Sequence, residues 1–161
     1  MRQNYKNSAA VVLGMHDALV SLTGMIAGLT FALADRQSII LSAVIASVAA
    51  GMSMGASNYL AEKTNDNTDA LRAGIMTGVA YLGTCALLII PFCVLANTNV
   101  ALGASFAVAI LIIFGCNWCI GYINKKRWWK HAIEMLVICA AVSIISFIIG
   151  EGAKYALGVM I

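Results

Sequence analysis

A bilayer core about 30 Å thick needs roughly 20 apolar residues of helix to cross it. This 161-residue chain offers that length about five times over. The runs lie near 9–33, 38–61, 70–96, 100–123 and 129–157, separated by "ADRQS", "EKTNDNTD", "ANTN" and the basic, aromatic "NKKRWWKH". Inside lipid a backbone must satisfy its own hydrogen bonds, so runs of this length and composition are helices. Only 11% of the residues are charged, against about 25% in a soluble domain. The fold class is therefore all-α: a polytopic membrane protein of about five transmembrane helices, forming one domain over 1–161. The connections are short, so no soluble domain is expected, and the only proline, Pro91, is expected to kink the third helix.

The distribution of lysine and arginine sets the orientation. With the N-terminus in the cytoplasm, that side holds Arg2, Lys6, Lys63, Arg72, Lys125, Lys126, Arg127 and Lys130, and the other keeps Arg36 and Lys154. Eight against two is a strong positive-inside bias. The first run is too long for the apolar core of a cleaved signal, so it is expected to stay as a helix. All five cysteines fall in spans, which gives no disulfide framework. "CNWC", Cys116 to Cys119, has a CxxC spacing, but on an apolar helix it reads as packing rather than redox or metal chemistry.

The first helix carries an acid where lipid should be. In "GMHDALVSLTGMIAGL", Gly14, Asp17, Ser21, Gly24 and Gly28 recur three and four residues apart and form one seam. Small residues at that spacing let another helix approach closely. Asp17 therefore faces protein or a water-filled path, and an acid at that depth costs roughly 2.5–3.5 kcal/mol on insertion scales. Such residues are candidates for ion or proton pathways, against the plainer reading of a protonated acid bonded between helices. His16 points about 100° away around the helix and reads as a packing or hydrogen-bonding residue.

The second helix carries "AGMSMGASNYLAEKT", where Ser47, Gly51, Met54, Asn58 and Glu62 share a face. Counted from the cytoplasmic ends, Met54 and Asp17 lie at nearly the same depth. If the two faces meet, a carboxylate, a thioether and an amide oxygen converge, a donor set that leans toward softer divalent metals. Glu62 stands at the mouth and either attracts cations or ends the helix in solvent. Ser21 and Gly51 fall along the same pathway. Glu134 pairs with Lys130 or His131 at helical spacing or joins the pathway, and Glu151 lies near the far end of the fifth helix, where it lines an exit or sits at the interface.

The first two motifs together resemble the vacuolar iron transporter family. "GMHDALVSLTGMIAGL" is similar to its first-helix pattern, and "AGMSMGASNYLAEKT" to its second-helix pattern built on Ser-Met-Gly and a Tyr-Leu pair. Weaker echoes follow in "GVAYLGTCALLIIPF" and "WWKHAIEMLVICAAVSIISFIIGEGAKYAL". The resemblance implies a five-helix dimeric carrier that moves Fe²⁺, and often Mn²⁺, out of the cytosol in exchange for protons. It also implies that Asp17 and Met54 line the pathway. Two features depart from the family pattern. The glutamate-rich insertion of vacuolar members is replaced by "EKTNDNTDALR", and Asn58 stands where many members have Glu.

The leading expectation is thus a divalent-metal exporter of alternating access, with Asp17, Met54, Asn58 and Glu62 as metal residues. Iron or manganese is cargo, and no resident cofactor is expected. Its partners are metal ions, protons, the lipid bilayer and a second copy of the chain, because five spans in so small a chain do not readily enclose a path alone. A prokaryotic chain of this kind would sit in the plasma or inner membrane. The alternative is a small membrane scaffold that uses its Gly/Ser seams only for helix association. An enzyme is not expected, for lack of a phosphate loop or a nucleophile–base pair, and the basic cluster reads as an interface anchor rather than a nucleic-acid site.

Overall fold

The structure is a computed structural model that describes residues 2–32, 35–124 and 128–157. It contains five helices: α1 (Arg2–Ala32), α2 (Arg36–Thr64), α3 (Ala70–Val94), α4 (Thr98–Asn124) and α5 (Trp128–Leu157). Each contains a stretch long and apolar enough to cross a membrane. The first helix starts at Arg2, earlier than the apolar run itself, because the polar opening "RQNYKN" continues the helix beyond its apolar stretch.

The breaks between helices have local causes. Asp35 caps α2, its carboxylate accepting from the Ser38 hydroxyl at 2.7 Å and from the Ser38 N–H at 2.8 Å. Those bonds hold the Asp35 carboxyl below the usual carboxylate range. At the other end of α2, Asp66 turns the chain with a φ of 52°. The helix of α3 runs through Pro91 and ends at Val94, capped by Leu95, whose N–H bonds the Pro91 carbonyl at 2.9 Å. Asn97 then accepts from the N–H groups of Asn99 and Val100 and opens α4.

The helix α1 is the centre of the bundle. It packs against α3 on one side and α5 on the other, while α2 leans mainly on α3. Ala18, Leu19, Leu22 and Ile26 on α1 are fully enclosed, together with Leu88 and Phe92 of α3 and Ile113 of α4. Glycines set the close approaches. A Cβ at Gly28 would lie 2.9 Å from the Ser146 carbonyl oxygen, and one at Gly150 would lie 2.7 Å from the Gly28 carbonyl oxygen, so α1 and α5 touch backbone to backbone. The glycine seam read from the sequence is therefore divided: Gly14 faces α3, whereas Gly24 and Gly28 face α5.

Polar side chains inside the bundle mostly bond carbonyls of a helix, as an apolar medium requires. Ser105 donates to the Leu88 carbonyl at 2.6 Å, Asn117 to the Ile113 carbonyl at 2.8 Å, and Thr23 to the Leu19 carbonyl.

Candidate functional site

Helix α3 forms a spine with polar rungs that reach both α1 and α2. At the first rung, Thr77 is fully buried. Its hydroxyl oxygen accepts from Asn58 Nδ2 at 2.6 Å and lies 3.1 Å from the Ala10 carbonyl and 3.0 Å from the Ala73 carbonyl, the acceptors open to its proton. A Cβ at Gly14 would overlap the Thr77 carbonyl, so α1 crosses α3 in direct backbone contact.

The second rung is Tyr81, 2% exposed. Its hydroxyl is 2.9 Å from Ser21 Oγ. Ser21 commits its own proton to the Asp17 carbonyl at 2.7 Å, which leaves Tyr81 as the donor between the two hydroxyls. On the α2 side the Tyr81 ring lies against Gly51, where a Cβ would come within 3.2 Å of it. One turn further along α3, Cys85 is buried beside Tyr81, and the Ser47 hydroxyl near it has no hydrogen bond of good geometry.

These rungs fix the relative depth of the two residues singled out first. Asp17 stands on α1 between Gly14 at the Thr77 rung and Ser21 at the Tyr81 rung. Met54 stands on α2 between Asn58 at the Thr77 rung and Gly51 at the Tyr81 rung. The two therefore share one layer. Both helices rest mainly on α3, which holds them at that level, and α1 and α2 also touch each other. Asp17 is exposed, on a stripe with Leu13 and Ser21, while Met54 is half-buried against the core.

The remaining predicted residues are distributed more widely. Asn58 spends its Nδ2 on α3, bonding Ala73 O and Thr77 Oγ1, and its amide oxygen is the atom left to offer a cation. Glu62 accepts from Asn67 Nδ2 at 2.5 Å and so braces the α2–α3 connection. Gly51 serves as a contact point for Tyr81 and Leu82. Glu134 is exposed and lies 3.8 Å from His131, at the far side of α1 from α3. Glu151 is exposed on α5, close to its end. His16 turns away from Asp17, and its Nε2 is buried without a hydrogen bond. Among the described residues no three His, Cys, Asp or Glu side chains gather to hold a metal. The CxxC reading lies partly outside the described residues, since nothing is described of the Cys119 side chain, and the same is true of Lys125, Lys126 and Arg127.

Reading α1 and α2 alone overlooked the α3 rungs. Their signal was present in "TGVAYLGTC": Thr77, Tyr81 and Cys85 repeat every four residues in an otherwise apolar helix.

No curated protein matches the chain. The model of the VIT family does, over residues 8–70 and 61–151, so that the two matched segments overlap across the α2–α3 connection. The matches cover most of the chain, the five membrane-crossing helices agree with them, and the chain belongs to the VIT family, a family of membrane metal-ion transporters.

Proposed function

We propose that this protein carries Fe²⁺ or Mn²⁺ out of the cytosol as a homodimer, exchanging metal for protons at Asp17. The observation that supports this most is the shared layer of Asp17 and Met54, set by the Thr77 and Tyr81 rungs. An exposed carboxylate on a membrane-crossing helix is costly against lipid. The Leu13–Asp17–Ser21 stripe is thus the face that a second copy or a water-filled path covers. One protomer supplies a single acid there, so a complete site draws on the thioether, the hydroxyl and amide oxygens nearby, and the partner's equivalent groups.

The chemistry follows from the donors. Oxygen ligands alone favour Mg²⁺ and Ca²⁺, and a thioether shifts preference toward transition metals. A metal needs the Asp17 carboxylate ionised, while a proton neutralises it, so the two cargoes exclude each other at one atom group. Tyr81 acts through Ser21, whose bond to the Asp17 carbonyl holds that turn of α1 in place.

Flux into proteoliposomes across a panel of Fe²⁺, Mn²⁺, Mg²⁺ and Ca²⁺ tests the proposal. The expected result is Fe²⁺ or Mn²⁺ transport that falls at least about tenfold in Asp17→Asn. Met54→Leu is expected to narrow the gap between Mn²⁺ and Mg²⁺ by removing the soft ligand. Metal flux that survives Asp17→Asn unchanged would remove the role assigned to Asp17. No metal-dependent flux at all would favour the scaffold reading.

A further inference from the structure

The α2–α3 contact leaves an apolar groove along its outer edge, lined by exposed residues of both helices. Its floor is glycine: Gly51 and Gly55 of α2 meet Gly74 and Gly78 of α3, and a Cβ at Gly74 would come within 2.6 Å of the Gly55 carbonyl oxygen. With no side chains between them the helices touch, and the flanking residues stand up as walls. Met52, Ala56 and Tyr59 form one wall, Leu71, Ile75, Val79 and Leu82 the other, around a cavity of about 370 Å³.

Both walls end in a cation at the same rim. On α2 the stripe Met52, Ala56, Tyr59 continues at helical spacing to Lys63, whose Nζ lies 5.6 Å from the centre of the Tyr59 ring. On α3 the stripe of Val79 and Ile75 continues back to Arg72, which is exposed. The nearby acids are Glu62, Asp66 and Asp69. Glu62 lies on the Asn58 face and is bonded to Asn67, and Asp66 lies in the turn. Asp69 stands just before α3, one turn from Arg72. There it offsets part of the charge at this rim.

The length identifies the occupant. From Leu71 to Leu82 the groove runs roughly 16 Å along α3, about half of the ~30 Å hydrocarbon core. A transmembrane helix of a second copy would need a seat along the whole membrane. One acyl chain of one leaflet needs half. We infer that this groove holds one acyl chain of an anionic phospholipid from the leaflet at the α2–α3 rim, with its phosphate between Lys63 and Arg72. The inference does not depend on the transport reading.

The test is lipid retention by the delipidated, detergent-solubilised protein, measured by native mass spectrometry with dioleoylphosphatidylglycerol and dioleoylphosphatidylcholine, which share their chains. The expected result is about a tenfold preference for phosphatidylglycerol from the two basic residues. The double variant Lys63→Gln, Arg72→Gln should lose that preference, while Lys154→Gln, at the other end of the bundle, should keep it. Val79→Trp, which fills the groove from the lipid side, should lower retention of both lipids without unfolding the helices. Equal retention of the two lipids by the parent chain, or phosphatidylglycerol retention unchanged in Val79→Trp, would overturn the inference. So would a copy-to-copy disulfide formed in membranes by Ile75→Cys beyond that of the parent chain, because a second copy would then occupy the groove.

Discussion

Asp17 acquires its position from residues that carry no charge. Gly14 lets α1 rest on the Thr77 backbone, and Ser21 ties the turn after Asp17 to the Tyr81 hydroxyl. The seam was legible in the sequence because glycine and serine recur at helical spacing. Its division between α3 and α5 was not, since spacing reports a face and not which neighbour the face meets. The same holds for Asn58, whose side chain could be placed on the Met54 face but whose bond to Thr77 depended on a third helix. A larger residue at Gly14 should therefore act on the site through distance. Gly14→Val is expected to cost about 1–3 kcal/mol by overpacking, read as a lower midpoint of thermal unfolding in detergent. It should also weaken metal transport by pushing the Asp17 layer away from α3. Gly83→Val, where an added Cβ has nothing within 4 Å, is the control and should change neither.

At the scale of elements, five helices followed directly from apolar run length, because lipid leaves the backbone no other choice. Their ends were less legible. α1 begins at Arg2 because polar residues extend it beyond its apolar stretch, and Pro91 lies inside α3, whose bonding runs on for one turn past it. The capping of α2 is a further consequence of sequence that periodicity does not show. Asp35 holds the Ser38 N–H and hydroxyl as a carboxylate, and its pKa is lowered from the ordinary value of 3.8, first by the Ser38 hydroxyl. A depressed carboxylate contributes stability that is fully present above its unfolded value and is lost as pH falls through the folded one. Asp35→Ala should accordingly lower the thermal midpoint at neutral pH, and the difference from the parent chain should shrink as pH falls below 3.8. Ser38→Ala should reproduce part of the effect.

For the whole molecule, the open stripe of Leu13, Asp17 and Ser21 is the feature that a single copy leaves unfinished. If a second copy covers it, Leu13→Cys in membranes should form a disulfide-linked dimer under mild oxidation, beyond any formed by the native cysteines. A cysteine at the more exposed Ile144 of α5 should not. The α2–α3 connection is short, running from Asn65 to Asp69 within the overlap of the two family matches. On the proposed exchange of metal for protons at Asp17, metal uptake should weaken as the loading side is acidified. The most direct test of the account follows metal entry and lumenal pH together in proteoliposomes driven by a Mn²⁺ or Fe²⁺ gradient, in the parent chain and in Asp17→Asn. The account predicts proton movement opposite to the metal in the parent chain and the loss of both signals in the variant. Metal entry without any proton countermovement, or coupled exchange that persists in Asp17→Asn, would contradict it.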